Sequence, residues 1–373
     1  MKSSLFKAGV LAIALVTSLG VQSKAEGDIE LKKNYTKEFS TESNSILEIS
    51  NRYGKVEVKT WDRSAVKIDV VVIVKANSKS KADDKLSEIK IKLEKNGSSI
   101  IGVTDLNDSN TSWWKGWFSF GDDISFEINY NVFMPATLPS IIENKYGNIY
   151  LPDLKSKTSI NLKYGNLEAG NIDNDLLMDL SYGKATAGNV KNFSGTISYS
   201  DYRCTSAGVV ILTSKYSKVY LDNVTTLTSS SKYDTYKIGK AGSFTLTGGY
   251  DDIQITSVSS ANLQVKYTGV DISSLSSTLT SDISYGSLKI ENLKTTFKSI
   301  NINTNYAPIK IYGSVPSKVD VSGKYFSADL GSDFITKNKE VQGNSKDIKG
   351  FKMSENTSST ISITSKYGDV IIR

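Results

Sequence analysis

The stretch ENKYGNIYLPDL, residues 143–154, sets a Tyr-Gly pair ahead of apolar residues at alternate positions. Eighteen residues on, the chain reads NLKYGNLEAGNI (161–172), and eighteen further DLSYGKATAGNV (179–190). Aligned on the tyrosine, the series runs Tyr146, Tyr164, Tyr182, Tyr199, Tyr216, Tyr233, Tyr250, Tyr267 and Tyr285, at intervals of 17 or 18. Looser copies stand at Tyr306 and Tyr325, a late one at Tyr367, and an early one, NRYGKVEVKTW (51–61), at Tyr53. A fixed internal period sets the architecture before any local reading does.

Within each unit, apolar residues favour the third and fifth positions after the tyrosine, as in Val219 and Leu221 or Ile253 and Ile255. Another tends to follow at the eighth, as in Ile172, Val224 and Val258. Apolar residues also occupy the fourth and second positions before it, as in Ile160 and Leu162 or Leu263 and Val265. This is strand alternation, with a break in parity at Tyr-Gly that predicts a corner. The glycine is expected to supply the backbone freedom there. Asn171, Asn189, Asn223 and Asn292, seven after the tyrosine, predict a second turn. Short strands, two corners and a period too short for a helix per repeat predict an all-β fold. It is a single-stranded parallel β-solenoid of 17–18-residue coils, stacked at about 4.8 Å into a rod on the order of 50 Å long. Stacked tyrosines would form a ladder down one corner, read first as packing and second as a ligand-binding strip.

The ends differ in texture. Lys2 and Lys7, the apolar run Ala8–Val21 and the small residues of Ser23-Lys24-Ala25 read as a signal peptide over residues 1–25. Neither that run nor any later one is long enough to predict a membrane span. No cysteine follows the run, so a lipid anchor there is not expected. Residues 26–135 read as a β-rich N-terminal cap, residues 136–331 as the repeats, and residues 332–373 as a polar excursion with a closing strand.

Composition excludes much. Removing residues 1–25 would leave 42 basic against 39 acidic residues, a net charge of +3, too balanced to point to nucleic acid. The chain has no histidine, which excludes Ser-His-Asp and Cys-His catalysis and histidine-ligated metals. Gly-rich phosphate loops are missing and no cofactor is implied. The single cysteine, Cys204, excludes an internal disulfide and reads as a buried small hydrophobe.

The segments RYGKVEVKTWDRSAVKIDV (52–70), YNVFMPATLPSIIENKYGNIYL (130–151) and ISITSKYGDVIIR (361–373), with the repeated Tyr-Gly coils between them, resemble the bacterial putative-adhesin β-strand-repeat families. Relatives of those families include the head-domain autotransporter adhesins. The resemblance implies an exported, right-handed single-stranded β-helix with no catalytic motif to transfer.

Three features are candidates for function. TSWWKGWFSFGDD (111–123) gathers Trp113, Trp114, Trp117, Phe118 and Phe120. Adjacent tryptophans in a strand face opposite ways, so this segment is a candidate contact site for a glycan or protein; the alternative is that it plugs the open end of the solenoid. Lysine precedes the tyrosine at positions 145, 163, 215, 232, 266, 324 and 366, an outward basic stripe that serves solubility or attracts anionic polymer. Asp234 and Asp251 replace the glycine in successive coils, with Asp252 beside them and Asp201 at its equivalent position. Acidic residues at exposed turns are the first reading. A calcium site or a retaining-glycosidase pair are the alternatives.

The sequence thus predicts an exported non-catalytic β-solenoid that binds a cell-envelope or host glycan or protein, in the periplasm or at the cell surface. A structural or regulatory periplasmic rod is the alternative, and a glycan-active enzyme using Asp234 and Asp251 a third reading.

Overall fold

The computed structural model describes residues 29–106 and 124–373, which places both the leader-like start and the Trp113–Phe120 cluster outside the described residues. The chain divides at Gly170/Asn171 into two compact units, and it is a β-solenoid of stacked parallel coils.

In the first unit, the coil built from Ser140–Lys145 and Ile149–Leu151 lies in parallel register with the one from Thr158–Lys163 and Asn166–Ala169. Its other edge carries Ile46–Arg52 and Val56–Thr60, the copy around Tyr53. Beyond that coil lie Ser99–Leu106 and Ile124–Met134, again parallel. The Tyr53 coil is therefore a full member of the stack, sandwiched between segments that follow it in sequence. The stack is closed by antiparallel pairing: Ile124–Met134 pairs with Ala65–Ala76, which pairs with Ile29–Ser40. One helix, Lys79–Glu88, starts at Ser78, whose hydroxyl accepts the amide hydrogen of Lys81, and buries Ala82 and Leu86.

In the second unit, the central coils are unbroken fifteen-residue strands such as Lys218–Lys232 and Asp252–Lys266, each running from one tyrosine to the next. Burial along Lys218–Lys232 alternates, but two exposed residues adjoin at Asp222–Asn223 and parity slips again at Thr225–Thr226. Each coil thus bends twice between tyrosines, so it has three corners where sequence periodicity predicted two. The inward set, Val219, Leu221, Val224 and Leu227, is fully buried, and its equivalents lie directly above and below at strand spacing. Cys204 belongs to the same buried set.

The C-terminal strand is an interior member of the stack. Thr360–Lys366 and Val370–Ile372 do not lie over the last coil. They insert between the coil of Ser299–Asn305 and Ile309–Ile311 and that of Ser317–Lys324 and Ala328–Asp329, in parallel register with both. The polar excursion forms a hairpin, Phe334–Gln342 with Ser345–Lys352, whose second strand closes the free edge of Ser317–Lys324 antiparallel. The antiparallel hairpin ends the run of parallel coils there.

Candidate functional site: the tyrosine column and its flank

Every repeat tyrosine, from Tyr53 to Tyr367, has φ between 50° and 63°. The corner is made by a left-handed tyrosine and not, as sequence predicts, by the glycine after it. Such a conformation costs a non-glycine residue roughly 1–2 kcal/mol. The glycine answers a steric demand: a Cβ on Gly147 would stand 1.8 Å from the carbonyl oxygen of Gly54 in the coil before.

The left-handed turn also redirects the side chain. By parity the tyrosines would share the face of the apolar residues before them, yet in the second unit their rings are 39–51% exposed. There they stack in the order 182, 199, 216, 233, 250, 267, 285, 306, 367, 325, with ring centroids 4.6–5.1 Å apart. In the first unit Tyr53, Tyr146 and Tyr164 stack likewise, with Phe126 edge-on to Tyr53 at 5.2 Å. Each interior ring has a neighbour on both faces. What the column offers to a ligand is therefore ring edges and phenol hydroxyls; its faces cannot stack on a sugar.

The lysines before the tyrosines flank this column as expected. Lys215, Lys232, Lys266, Lys324 and Lys366 are exposed and make no ion pair among the described residues. Lys232 and Lys366 lie over the rings of Tyr233 and Tyr367 at 5.3 and 5.8 Å. At Gly249 alone this position lacks a side chain, and Gly248 precedes it. The double glycine opens a notch of about 650 Å³ lined by Lys232, Lys266, Tyr250, Tyr267, Gln264 and Asp282, among others. Sequence reading passed over this notch, although the glycine before the tyrosine at this one copy of the motif was its signal.

Asp234 and Asp251 are not an exposed acidic pair. They are 3% and 5% exposed, and their carboxylates are occupied. Asp234 accepts the Ser217 amide hydrogen at 2.7 Å and the Ser214 hydroxyl at 2.7 Å. Asp251 accepts the Asp234 amide hydrogen at 2.8 Å and the Ser231 hydroxyl at 2.7 Å. Ser200, Ser217 and Thr268 do the same for the coils before them, so one column of side chains satisfies the amides behind the tyrosine corner. Burial pushes the Asp234 carboxyl up to about 6, against its hydrogen bonds from Ser214 and Ser217 and with a smaller push from the Asp251 charge. Burial raises Asp251 as well. The cause of the corrected reading is the left-handed tyrosine, which turns the following residue inward. Neither carboxylate faces solvent to hold a sugar or calcium, and no cluster of three or more metal-ligating residues occurs among the described residues.

A family model described as Toastrack DUF4097 matches residues 44–373. Similar solved structures include a putative cell adhesion protein from Clostridium sporogenes, 9% identical, with 91% of this chain and 98% of that one covered and a TM-score of 0.20. A putative adhesin from Parabacteroides distasonis is 11% identical, covering 75% and 97%, with a TM-score of 0.29. A putative lipid binding protein from the same organism is 11% identical, covering 76% and 95%, with a TM-score of 0.28. No curated protein matches the chain.

Proposed function

Because the chain belongs to the Toastrack DUF4097 family, we propose that it is an exported, non-catalytic binding solenoid that holds a glycan at the cell envelope through its tyrosine column. The observation that carries this reading is the column of ten half-exposed rings in the second unit, at strand spacing and flanked by lysine. Packing alone does not call for so contiguous an aromatic surface in water. The face beside it is mainly polar: Thr228, Thr247, Asn262, Gln264, Thr280 and Asn301 are exposed on successive coils, matched to sugar hydroxyls, with Asp179, Asp282 and Ile211 in the same registers. Export rests on the leader-like residues 1–25. No helix among the described residues is long and apolar enough to cross a membrane.

Trp113, Trp114, Trp117, Phe118 and Phe120 would supply a second contact. In the chain their segment lies between Ser99–Leu106 and Ile124–Met134. A second reading, a protein-interaction solenoid, is favoured by Phe334–Gln342, an exposed strand that pairs only with Ser345–Lys352 among the described residues.

The test is binding of the protein to a glycan and matrix-protein panel, beside a Tyr216→Ala/Tyr250→Ala variant and a Trp113→Ala/Trp114→Ala/Trp117→Ala variant of intact circular dichroism. Glycan binding lost in the tyrosine variant supports the column. Capture of matrix protein alone, unchanged by the tyrosine substitutions, sinks it.

A further inference from the structure

We propose that the Gly248–Gly249 notch is the subsite for an anionic group of an acidic polysaccharide, a carboxylate, sulfate or phosphate carried on a chain that lies along the tyrosine column. The inference rests on the glycan-binding reading and goes further by naming the ligand's charge and where it sits.

The notch is built into the coil. A Cβ on Gly248 would stand 2.2 Å from Ser231 Oγ and 2.6 Å from Asp251 Oδ2, so the buried hydrogen-bond network dictates glycine there and fixes the floor. At Gly249 the nearest obstacle to a Cβ is the Lys266 carbonyl oxygen at 3.1 Å, a tight but not prohibitive contact. The opening at Gly249 is therefore not forced by the core. It interrupts a lysine column whose neighbours, Lys232 and Lys266, stand two coils apart, about 10 Å at ordinary strand spacing. A group seated between them is within reach of both flexible ammonium groups, and neither is engaged in an ion pair among the described residues.

The surroundings select an anion. Ring edges carry the positive part of the aromatic quadrupole, and Tyr250 and Tyr267 present edges and hydroxyls because their faces are taken by stacking. Gln264 adds an amide donor on the rim. Asp282 is the opposing charge in the lining against two lysines, while the Asp251 carboxylate beneath the floor is held by the Ser231 hydroxyl and the Asp234 amide. A linear polymer suits the column because the same tyrosine edge recurs at every coil. A polysaccharide suits it better than a lipid surface because the adjoining face carries hydroxyls and amides where a bilayer would need apolar side chains.

The experiment measures binding of polygalacturonate, dextran sulfate, poly(glycerol phosphate) and neutral dextran to the full chain at 50 and 300 mM salt. Anionic phospholipid vesicles form a separate arm. Lys232→Gln/Lys266→Gln is compared with Lys237→Gln/Lys240→Gln, which removes the same charge from exposed lysines on another face. Matching circular dichroism and melting temperature establish that both variants fold. The expected result is binding of one or more acidic polysaccharides, weakened at least tenfold by the first pair of substitutions and less than twofold by the second. Equal weakening by both pairs overturns the subsite in favour of diffuse charge attraction. Vesicle binding without polysaccharide binding overturns the ligand class. Binding of neutral dextran that neither variant changes leaves the glycan reading standing and overturns this inference alone. No binding to any polysaccharide overturns both.

Discussion

Asp251 Oδ1 accepts the backbone amide hydrogen of Asp234 from the coil before it, 2.8 Å away, and Asp234 in turn accepts that of Ser217. Two carboxylates thus serve as backbone caps inside a β-solenoid, a place where serine or threonine does the same work without a charge. The charge has a consequence for pH. A carboxyl held at about 6 when folded and near its ordinary 3.8 when unfolded binds its proton more tightly in the folded state. Its stabilising contribution is therefore full below about pH 4 and is lost as pH rises through about 6. Other carboxylates, such as Glu57 beside Lys55 and Lys59, are shifted down and act in the opposite sense, so the readout is a difference. Melting temperatures of wild type and Asp234→Asn from pH 4 to 8 should diverge above pH 5. The variant should gain on the order of 2–3 kcal/mol relative to its position at pH 4. Parallel curves would show that the folded carboxyl titrates normally.

At Gly147 the glycine after the tyrosine is expected to be required for space. Gly147→Ala should cost about 3 kcal/mol or more, because the new Cβ meets the Gly54 carbonyl oxygen and the backbone has to move. Gly269→Ala is the contrast: its Cβ would find nothing nearer than 3.9 Å, and stability should stay level or rise by about 0.5 kcal/mol. Denaturant melts of both variants decide the matter.

The tyrosine column should be cooperative along its length. Tyr216 stacks on Tyr199 and Tyr233, whereas Tyr325 stacks on Tyr367 alone among the described residues. Tyr216→Ala should cost roughly 1–3 kcal/mol and Tyr325→Ala about half of that. Tyr216→Gly should be about 1 kcal/mol more stable than Tyr216→Ala, since glycine removes the left-handed strain that alanine keeps. An alanine variant as stable as the glycine one would remove strain from the account.

The inserted C-terminal strand should hold the end of the second unit. Lys352 is 1% exposed; its ammonium meets Asp333 Oδ1 at 2.6 Å and the carbonyls of Leu330 and Ile372 at 3.3 Å. Lys352→Met should cost about 2–4 kcal/mol by leaving those carbonyls without a donor. Removing residues 360–373 should do worse, leaving Ser299–Asn305 and Ser317–Lys324 without the strand between them, and should yield an aggregating protein by light scattering.

Much of this was legible in the chain itself. A period of 17–18, alternating apolar residues and a tyrosine in every copy determine a β-solenoid, its buried set and its aromatic column, because stacked coils repeat one residue environment at each level. Tertiary structure alone decided three things. The tyrosine takes the left-handed turn, since two ring neighbours help offset a strain that periodicity cannot register. That turn sends Asp234 and Asp251 inward, where parity and composition had suggested an exposed acidic turn. The order of coils also departs from the order of the chain: Ile46–Thr60 and Thr360–Ile372 each sit between coils formed by other, non-adjacent segments. Parallel strands pair by backbone alone, so every coil edge is chemically alike to a returning strand. Which edge it takes depends on closing both ends of a stack, a requirement that exists only in three dimensions.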